Sequence, residues 1–293
     1  MVITYSSFPT TSSTIFDIGN YSTKLLNIEP KSCINSSFPS PPKPLLISTP
    51  LQGGNFPVIL FLHGYLLFNY FYSQLIQHIS SHGFIVVAPQ LYLVEGTDTT
   101  TDIKSTAEIT NWLPDGLHRY LPSHVGPNLK KLALAGHSRG GKAAFALTLG
   151  KVTNTTPPVL TYIPQSFNLD MAVMVIGSGL GEVKRDPLFP ACAPKGVNHR
   201  DFYNECVRPA CYVVAKDYGH VDMLDDETKG VRGKATYGLC KNGKCREPMR
   251  RFVGGIVIAF LEDYLKGNSS DLMAIKDGYV TLPVELQDMD FRM

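Results

Sequence analysis

Gly136-His137-Ser138-Arg139-Gly140-Gly141 joins a short apolar run, residues 132–135, to a helix-prone run, residues 142–147. The Gly-x-Ser-x-Gly spacing predicts a strand, a sharp turn and a helix. Glycines on either side let the main chain turn tightly and leave the serine hydroxyl exposed at the helix N-terminus. A bare Gly-x-Ser-x-Gly also occurs in ordinary strand-to-helix turns. The flanking strand and helix favour the chemical reading here, and Ser138 is the candidate nucleophile.

The rest of the chain repeats the same alternation. Strands are expected over residues 58–62, 84–88, 132–135, 171–176 and 211–215, and helices over 70–81, 102–112 and 142–150. A last helix starts with Pro248 in its first turn, places Met249, Phe252, Val253, Ile256 and Phe260 on one face, and closes at Gly267. Residues 32–50, rich in Ser and Pro, read as a loop leading into an edge strand. Such a pattern predicts an α/β fold with a mostly parallel, doubly wound sheet and a site at the carboxyl ends of its strands. With 293 residues, 44% apolar, one domain can bury the whole core. We expect a disordered N-terminus over residues 1–14, a domain over 15–267 and a C-terminal extension over 268–293.

A net charge of +2 and the lack of Lys/Arg clusters interleaved with aromatics argue against a nucleic-acid partner. The apolar runs fall short of the roughly 18 residues that span a membrane. Residues 1–14 are rich in Ser and Thr but hold no Arg or Lys, a poor match to a transit peptide. Six cysteines lack the paired short spacings of a zinc site, so neither metal nor cofactor is expected. Cys240 and Cys245 flank an Asn-Gly turn and could form a local disulfide, although reduced thiols are the default expectation.

Serine needs an imidazole to take its proton. His220 follows the 211–215 strand across Lys216-Asp217-Tyr218-Gly219, where a base belongs in a fold whose chain order is Ser, acid, His. His63-Gly64-Tyr65 ends the 58–62 strand, and the main-chain amides of Tyr65 and Arg139 are the expected oxyanion donors. His63 and His137 are read as shaping their turns, not as bases. Residues 66–72 are read as core rather than as an alkyl pocket.

The segments Leu62-His63-Gly64-Tyr65, Gly136-His137-Ser138-Arg139-Gly140-Gly141-Lys142, Ser166-Phe167-Asn168-Leu169-Asp170 and Ala215-Lys216-Asp217-Tyr218-Gly219-His220, with Glu247-Pro248-Met249-Arg250-Arg251-Phe252-Val253-Gly254-Gly255, closely resemble plant chlorophyllase. The resemblance spans residues 15–266. It implies an α/β-hydrolase that cleaves the phytyl ester of chlorophyll to chlorophyllide and phytol by serine acylation, with Ser138 as nucleophile and His220 as base. It implies chlorophyll as the partner, peripheral membrane association as a route to it, and a place in the chloroplast or in the cytosol or endoplasmic reticulum of a plant cell.

One departure matters. In that family another strand follows the nucleophile helix and the triad aspartate sits just beyond it in an Asp-Pro step. Here Gly150 leads into Lys151-Val152-Thr153-Asn154-Thr155-Thr156-Pro157-Pro158, which holds no carboxylate. About twenty residues, one strand with its connections, are missing. Residues 159–163 are a candidate replacement strand, cut short by Pro164. Without the acid, losses of about 10⁴ in kcat are typical. Glu182, after the 171–177 strand, is the first substitute, and Asp170, before it, the second; Asp217 and Asp222 are read as solvated loop charges. The alternatives to a chlorophyllase-type ester hydrolase are an impaired variant that binds chlorophyll-like ligands, and a general lipase or esterase.

Overall fold

The computed structural model describes residues 14–30, 39–94, 96, 98–150, 165 and 167–293. The candidate strand at 159–163, the segment 151–158, Ser166 and the first 13 residues lie outside them. Among the described residues eight strands and seven α-helices follow one another: β1 (Thr23–Ile28), β2 (Leu45–Pro50), β3 (Gly54–Leu62), α1 (Ser73–Ser80), β4 (Ile85–Pro89), α2 (Thr100–Gly116), β5 (Val125–Gly136), α3 (Arg139–Thr148), β6 (Val173–Ser178), α4 (His199–Glu205), β7 (Ala210–Ala215), α5 (Gly230–Leu239), α6 (Glu247–Lys266), α7 (Ser270–Lys276) and β8 (Leu286–Arg292).

The strands form two sheets. The first runs β1-β2-β4-β3-β5, with β3 parallel to both β4 and β5; the second runs β6-β7-β8, with β6 parallel to β7. Among the described residues β5 ends the first sheet and β6 the second. Residues of β3 from Phe56 onward and all of β4 are buried, whereas β5 is half-buried and Leu132 is 36% exposed.

Alternate residues of β3 enter different cores: Val58, Leu60 and Leu62 meet α2 and α3, while Ile59 and Phe61 meet α1 and α6. The period of two along a strand sends successive side chains to opposite faces, so a continuous apolar run requires helices on both. The α1/α6 layer also covers Cys211, Val213 and Ala215 of β7, so α6 holds the two sheets together. Its burial of Phe252, Ile256, Ile258 and Leu261 contributes about 1.5–3 kcal/mol per side chain. Gly267 ends it in the left-handed conformation, its N–H donating to Asp263 O, as its position predicts.

Three expectations change. Residues 45–50, read as the end of a loop, form β2, which lies inside the sheet between β1 and β4. Residues 268–293 are not an appendage, because β8 pairs antiparallel with β7; its alternation was too polar to read as a strand. Cys192 and Cys240 form a disulfide, and Cys245 is unpaired. That partner lies 48 residues away, beyond what local spacing can reveal.

Candidate active site

β3, β4, β5, β6 and β7 all deliver their carboxyl ends to one edge of the molecule. The turn after β5 is forced by close packing. A Cβ on Gly136 would fall 2.4 Å from the Gly140 carbonyl, and one on Gly140 would fall 2.3 Å from Leu62 O. Only glycine fits either position, because the start of α3 lies directly on the end of β3. His137 N–H donates to Leu62 O at 3.0 Å. Between them Ser138 adopts φ 56°, ψ −116° at the N-cap of α3, a conformation that costs a serine roughly 1–3 kcal/mol. Its side chain is exposed.

The turn after β3 lies against this one. A Cβ on Gly64 would come within 2.9 Å of His137 Nδ1, and Leu66 beside it has φ 57°. Tyr65 and Arg139, whose amides are the expected oxyanion donors, therefore stand on adjoining turns. Tyr72 OH ties them: it accepts from Gly64 N–H at 3.0 Å and donates to His137 Nδ1 at 2.7 Å. His137 Nε2–H then donates to the main-chain carbonyl of His220 at 2.8 Å. One chain of hydrogen bonds thus joins the ends of β3, α1, β5 and β7, and it crosses from one sheet to the other. Burial holds His137 at a pKa of about 3, so the ring is neutral, with one nitrogen donating and one accepting. His63 is likewise buried and neutral, its pKa lowered to about 4, with Nδ1 bonding Gly64 O and Nε2 accepting from Leu91 N–H. Both histidines build turns, as expected.

His220 lies with its ring 4.7 Å from that of His137. Burial, followed by the positive charge of nearby His199, lowers its pKa to about 4. Its Nε2 is buried without a hydrogen-bond partner. Among the described residues no carboxylate bonds to its ring.

The proposed substitutes do not reach it. Glu182 is exposed, and its Oε1 accepts from Asn198 Nδ2 at 2.7 Å, at the start of α4. Asp170 is exposed before the amino end of β6, the edge of the sheet opposite His220. Asp217 is exposed as read, but Asp222 is fully buried. Its Oδ2 accepts from Gly219 N–H at 2.6 Å and Gly243 N–H at 2.7 Å, and burial raises its pKa. It pins the His220 loop to the 241–243 turn.

Arg139 carries more than an amide. Its guanidinium is buried against Asp102 of α2 at 2.6 Å, bonds the carbonyls of Gly96 and Asp98, and stacks 4.8 Å from the Tyr92 ring. This pairs the residue after Ser138 with α2 and the loop after β4. Tyr72, Asp102 and Asp222 carry no local sequence signal, because their partners His137, Arg139 and Gly243 are remote in sequence. Of residues 66–72, Leu67, Asn69, Phe71 and Tyr72 are buried and Tyr70 is exposed, so the stretch is mainly core. A groove of about 640 Å³ lined by Asp217, Tyr218 and Asn242 does not include Ser138 or His220. Among the described residues no group of three or more His, Cys, Asp or Glu could hold a metal ion.

The chain is similar to known proteins along most of its length. The family model described as chlorophyllase matches residues 11–156 and 150–293. Chlorophyllase-2 of Arabidopsis thaliana is 53% identical, covering 95% of this chain and 97% of its own. That alignment runs over 309 residues, more than the chain contains, so the relative carries residues without a counterpart here. Chlorophyllase-1, chloroplastic, of Citrus unshiu is 43% identical over 94% of this chain and 88% of its own, and Chlorophyllase-1 of Arabidopsis thaliana 40% over 95% and 92%.

Proposed function

Because this chain belongs to the chlorophyllase family, we propose that it is a serine carboxylic ester hydrolase that cleaves the phytyl ester of chlorophyll to chlorophyllide and phytol. The observation that carries this reading is the strained, exposed Ser138 beside a histidine loop bonded to its neighbour His137. Ser138 Oγ attacks the ester carbonyl carbon while His220 Nε2 takes the hydroxyl proton. The oxyanion of the tetrahedral intermediate is held by the Tyr65 and Arg139 amides at the N-terminus of α3. Collapse breaks the ester C–O bond, and the imidazolium returns its proton to the departing phytol oxygen. Water, deprotonated by His220, then attacks the acyl-serine; the acid is released and Ser138 recovers its proton.

With no carboxylate on His220 among the described residues, the imidazolium formed in the first step is neither oriented nor stabilised, and turnover is slow by up to about 10⁴. This favours an impaired esterase as the second reading over a general lipase. The name "chloroplastic" on the Citrus relative supports the chloroplast as the compartment, and a lipid-soluble substrate supports peripheral membrane association. The test is incubation of the purified protein, and of Ser138→Ala, with chlorophyll in detergent, with chlorophyllide and phytol quantified. Serine-dependent release of both is expected. A folded protein that releases neither refutes the assignment.

A further inference from the structure

Arg139 is the first residue of α3, so its amide is among the N-terminal donors that no helical carbonyl takes. Its side chain is buried, and a guanidinium carries five N–H donors in a rigid plane. Nε and Nη2 grip the two oxygens of Asp102 at 2.6 and 3.3 Å, while Nη1 and Nη2 bond the carbonyls of Gly96 and Asp98. Asp102 is itself buried in the first turn of α2. Asp98 Oδ1 accepts from Thr100 N–H at 2.9 Å and fixes the start of that helix.

The same guanidinium lies over two rings, with the Tyr65 centroid 5.7 Å and the Tyr92 centroid 4.8 Å from its central carbon. Tyr92 belongs to the turn after β3 as much as to its own loop: its hydroxyl donates to Gly64 O at 3.1 Å and its ring lies 4.7 Å from that of His63. One side chain therefore joins α2, the loop after β4 and the turn that carries Tyr65, while its own main chain starts α3. The two expected oxyanion donors stand at the ends of this joint. Asp102 neutralises the guanidinium, so what the side chain supplies to the site is position and not charge. A buried ion pair is weak ground for stability, since an apolar pair of similar volume often serves as well. An apolar pair, or a lysine, cannot hold a flat fork against two carbonyls, a carboxylate and two rings.

We propose that the Arg139 guanidinium, clamped by Asp102, is the positioning group of the oxyanion hole, setting the Tyr65 amide against the amide of its own residue. This rests on the proposed ester hydrolysis. Oxyanion donors act within about 2.7–3.1 Å of the charge that develops, and a displacement of about 1 Å can cost about a hundredfold in rate. That charge exists in the transition state and not in the bound ester, so the loss falls on kcat and leaves KM in place.

The test is hydrolysis of nitrophenyl acetate, with inhibition by a trifluoromethyl ketone, on wild type, Ser138→Ala, Arg139→Lys and the double variant Asp102→Leu/Arg139→Met. Ser138 Oγ adds to the ketone carbon, its proton passes to His220, and the new oxyanion lies between the two amides, which every variant retains. Arg139→Lys and the double variant are expected to lose about tenfold to a hundredfold in kcat with KM within about twofold. They should bind the trifluoromethyl ketone more weakly by the same factor, while the corresponding unreactive methyl ketone inhibits wild type and variants alike. The double variant exchanges both charges for apolar groups and is expected to keep the wild-type melting temperature, so its loss is not one of folding; if it does not fold, Arg139→Lys assayed well below its Tm decides. Wild-type kcat and ketone affinity in a folded variant, or a raised KM with kcat unchanged, overturns the proposal. A wild type that, like Ser138→Ala, neither cleaves the ester nor binds the ketone refutes the hydrolase reading and this one with it, whereas an active wild type beside equally active variants refutes the positioning alone.

Discussion

Tyr72→Phe removes one oxygen from the centre of the site and leaves the packing volume almost unchanged. That oxygen is the sole link between Gly64 N–H and His137 Nδ1, both buried. Each orphaned buried group costs about 1–3 kcal/mol, so the substitution should destabilise the fold by about 2–6 kcal/mol. At about 2.1 cal/mol/K of unfolding entropy per residue, a chain of 293 residues loses roughly 3–10 °C in Tm. Tyr92→Phe is the internal control: its hydroxyl donates to Gly64 O at 3.1 Å, but that carbonyl keeps bonds from His63 Nδ1 and Leu67 N, so its loss should stay near 1 kcal/mol. The kinetic consequence separates positioning from stability. A His137 ring freed at Nδ1 no longer fixes the His220 carbonyl, so kcat for a soluble nitrophenyl ester, assayed well below Tm, should fall about tenfold or more with KM little changed. Calorimetry and steady-state rates on both variants suffice. A Tyr72→Phe protein that melts within about 1 °C of wild type, or no lower than Tyr92→Phe, would refute the bridging role.

Three further outcomes follow from the buried titratable groups and the surroundings of His220. His63, His78 and His220 are held at a pKa of about 4 and His137 at about 3 by burial, so below pH 6.5 the unfolded chain binds protons that the fold excludes; stability is complete above pH 6.5 and is lost as pH falls through 4. Each histidine contributes up to about 1.4 kcal/mol per pH unit, and Asp225, raised to about 6 by burial, offsets one of the four, so denaturant titrations at pH 7, 6 and 5 should show a slope approaching about 4 kcal/mol per unit; the slope of a single histidine would contradict the burial of the others. Glu182→Ala should leave kcat within about twofold, because that carboxylate is bonded to Asn198, whereas formate or acetate should raise wild-type kcat several-fold by supplying the carboxylate His220 lacks; a tenfold loss on removing Glu182 would reinstate it as the acid.

Much of this was written locally. The strand-turn-helix around Ser138, the glycine-ended helices and the histidine loop after β7 are legible because neighbours in sequence set them. Glycine spacing, capping residues and apolar periodicity act over a few residues. The misreadings share one cause. Asp222 looks like any loop aspartate until the 241–243 turn closes over it, and Glu182 looks available until Asn198 takes its oxygen. Cys240 has its partner 48 residues away, and β8 is strand only because the edge of β7 is there to receive it.

The sequence by itself determined the α/β alternation, the nucleophile turn and the imidazole that follows the last parallel strand. Tertiary structure alone decided which groups meet. It set Tyr72 between Gly64 and His137, buried Arg139 on Asp102 and, among the described residues, left His220 without a carboxylate. Local order follows from torsional preference and burial pattern, but the protonation state and partner of a side chain depend on groups brought together across the whole chain.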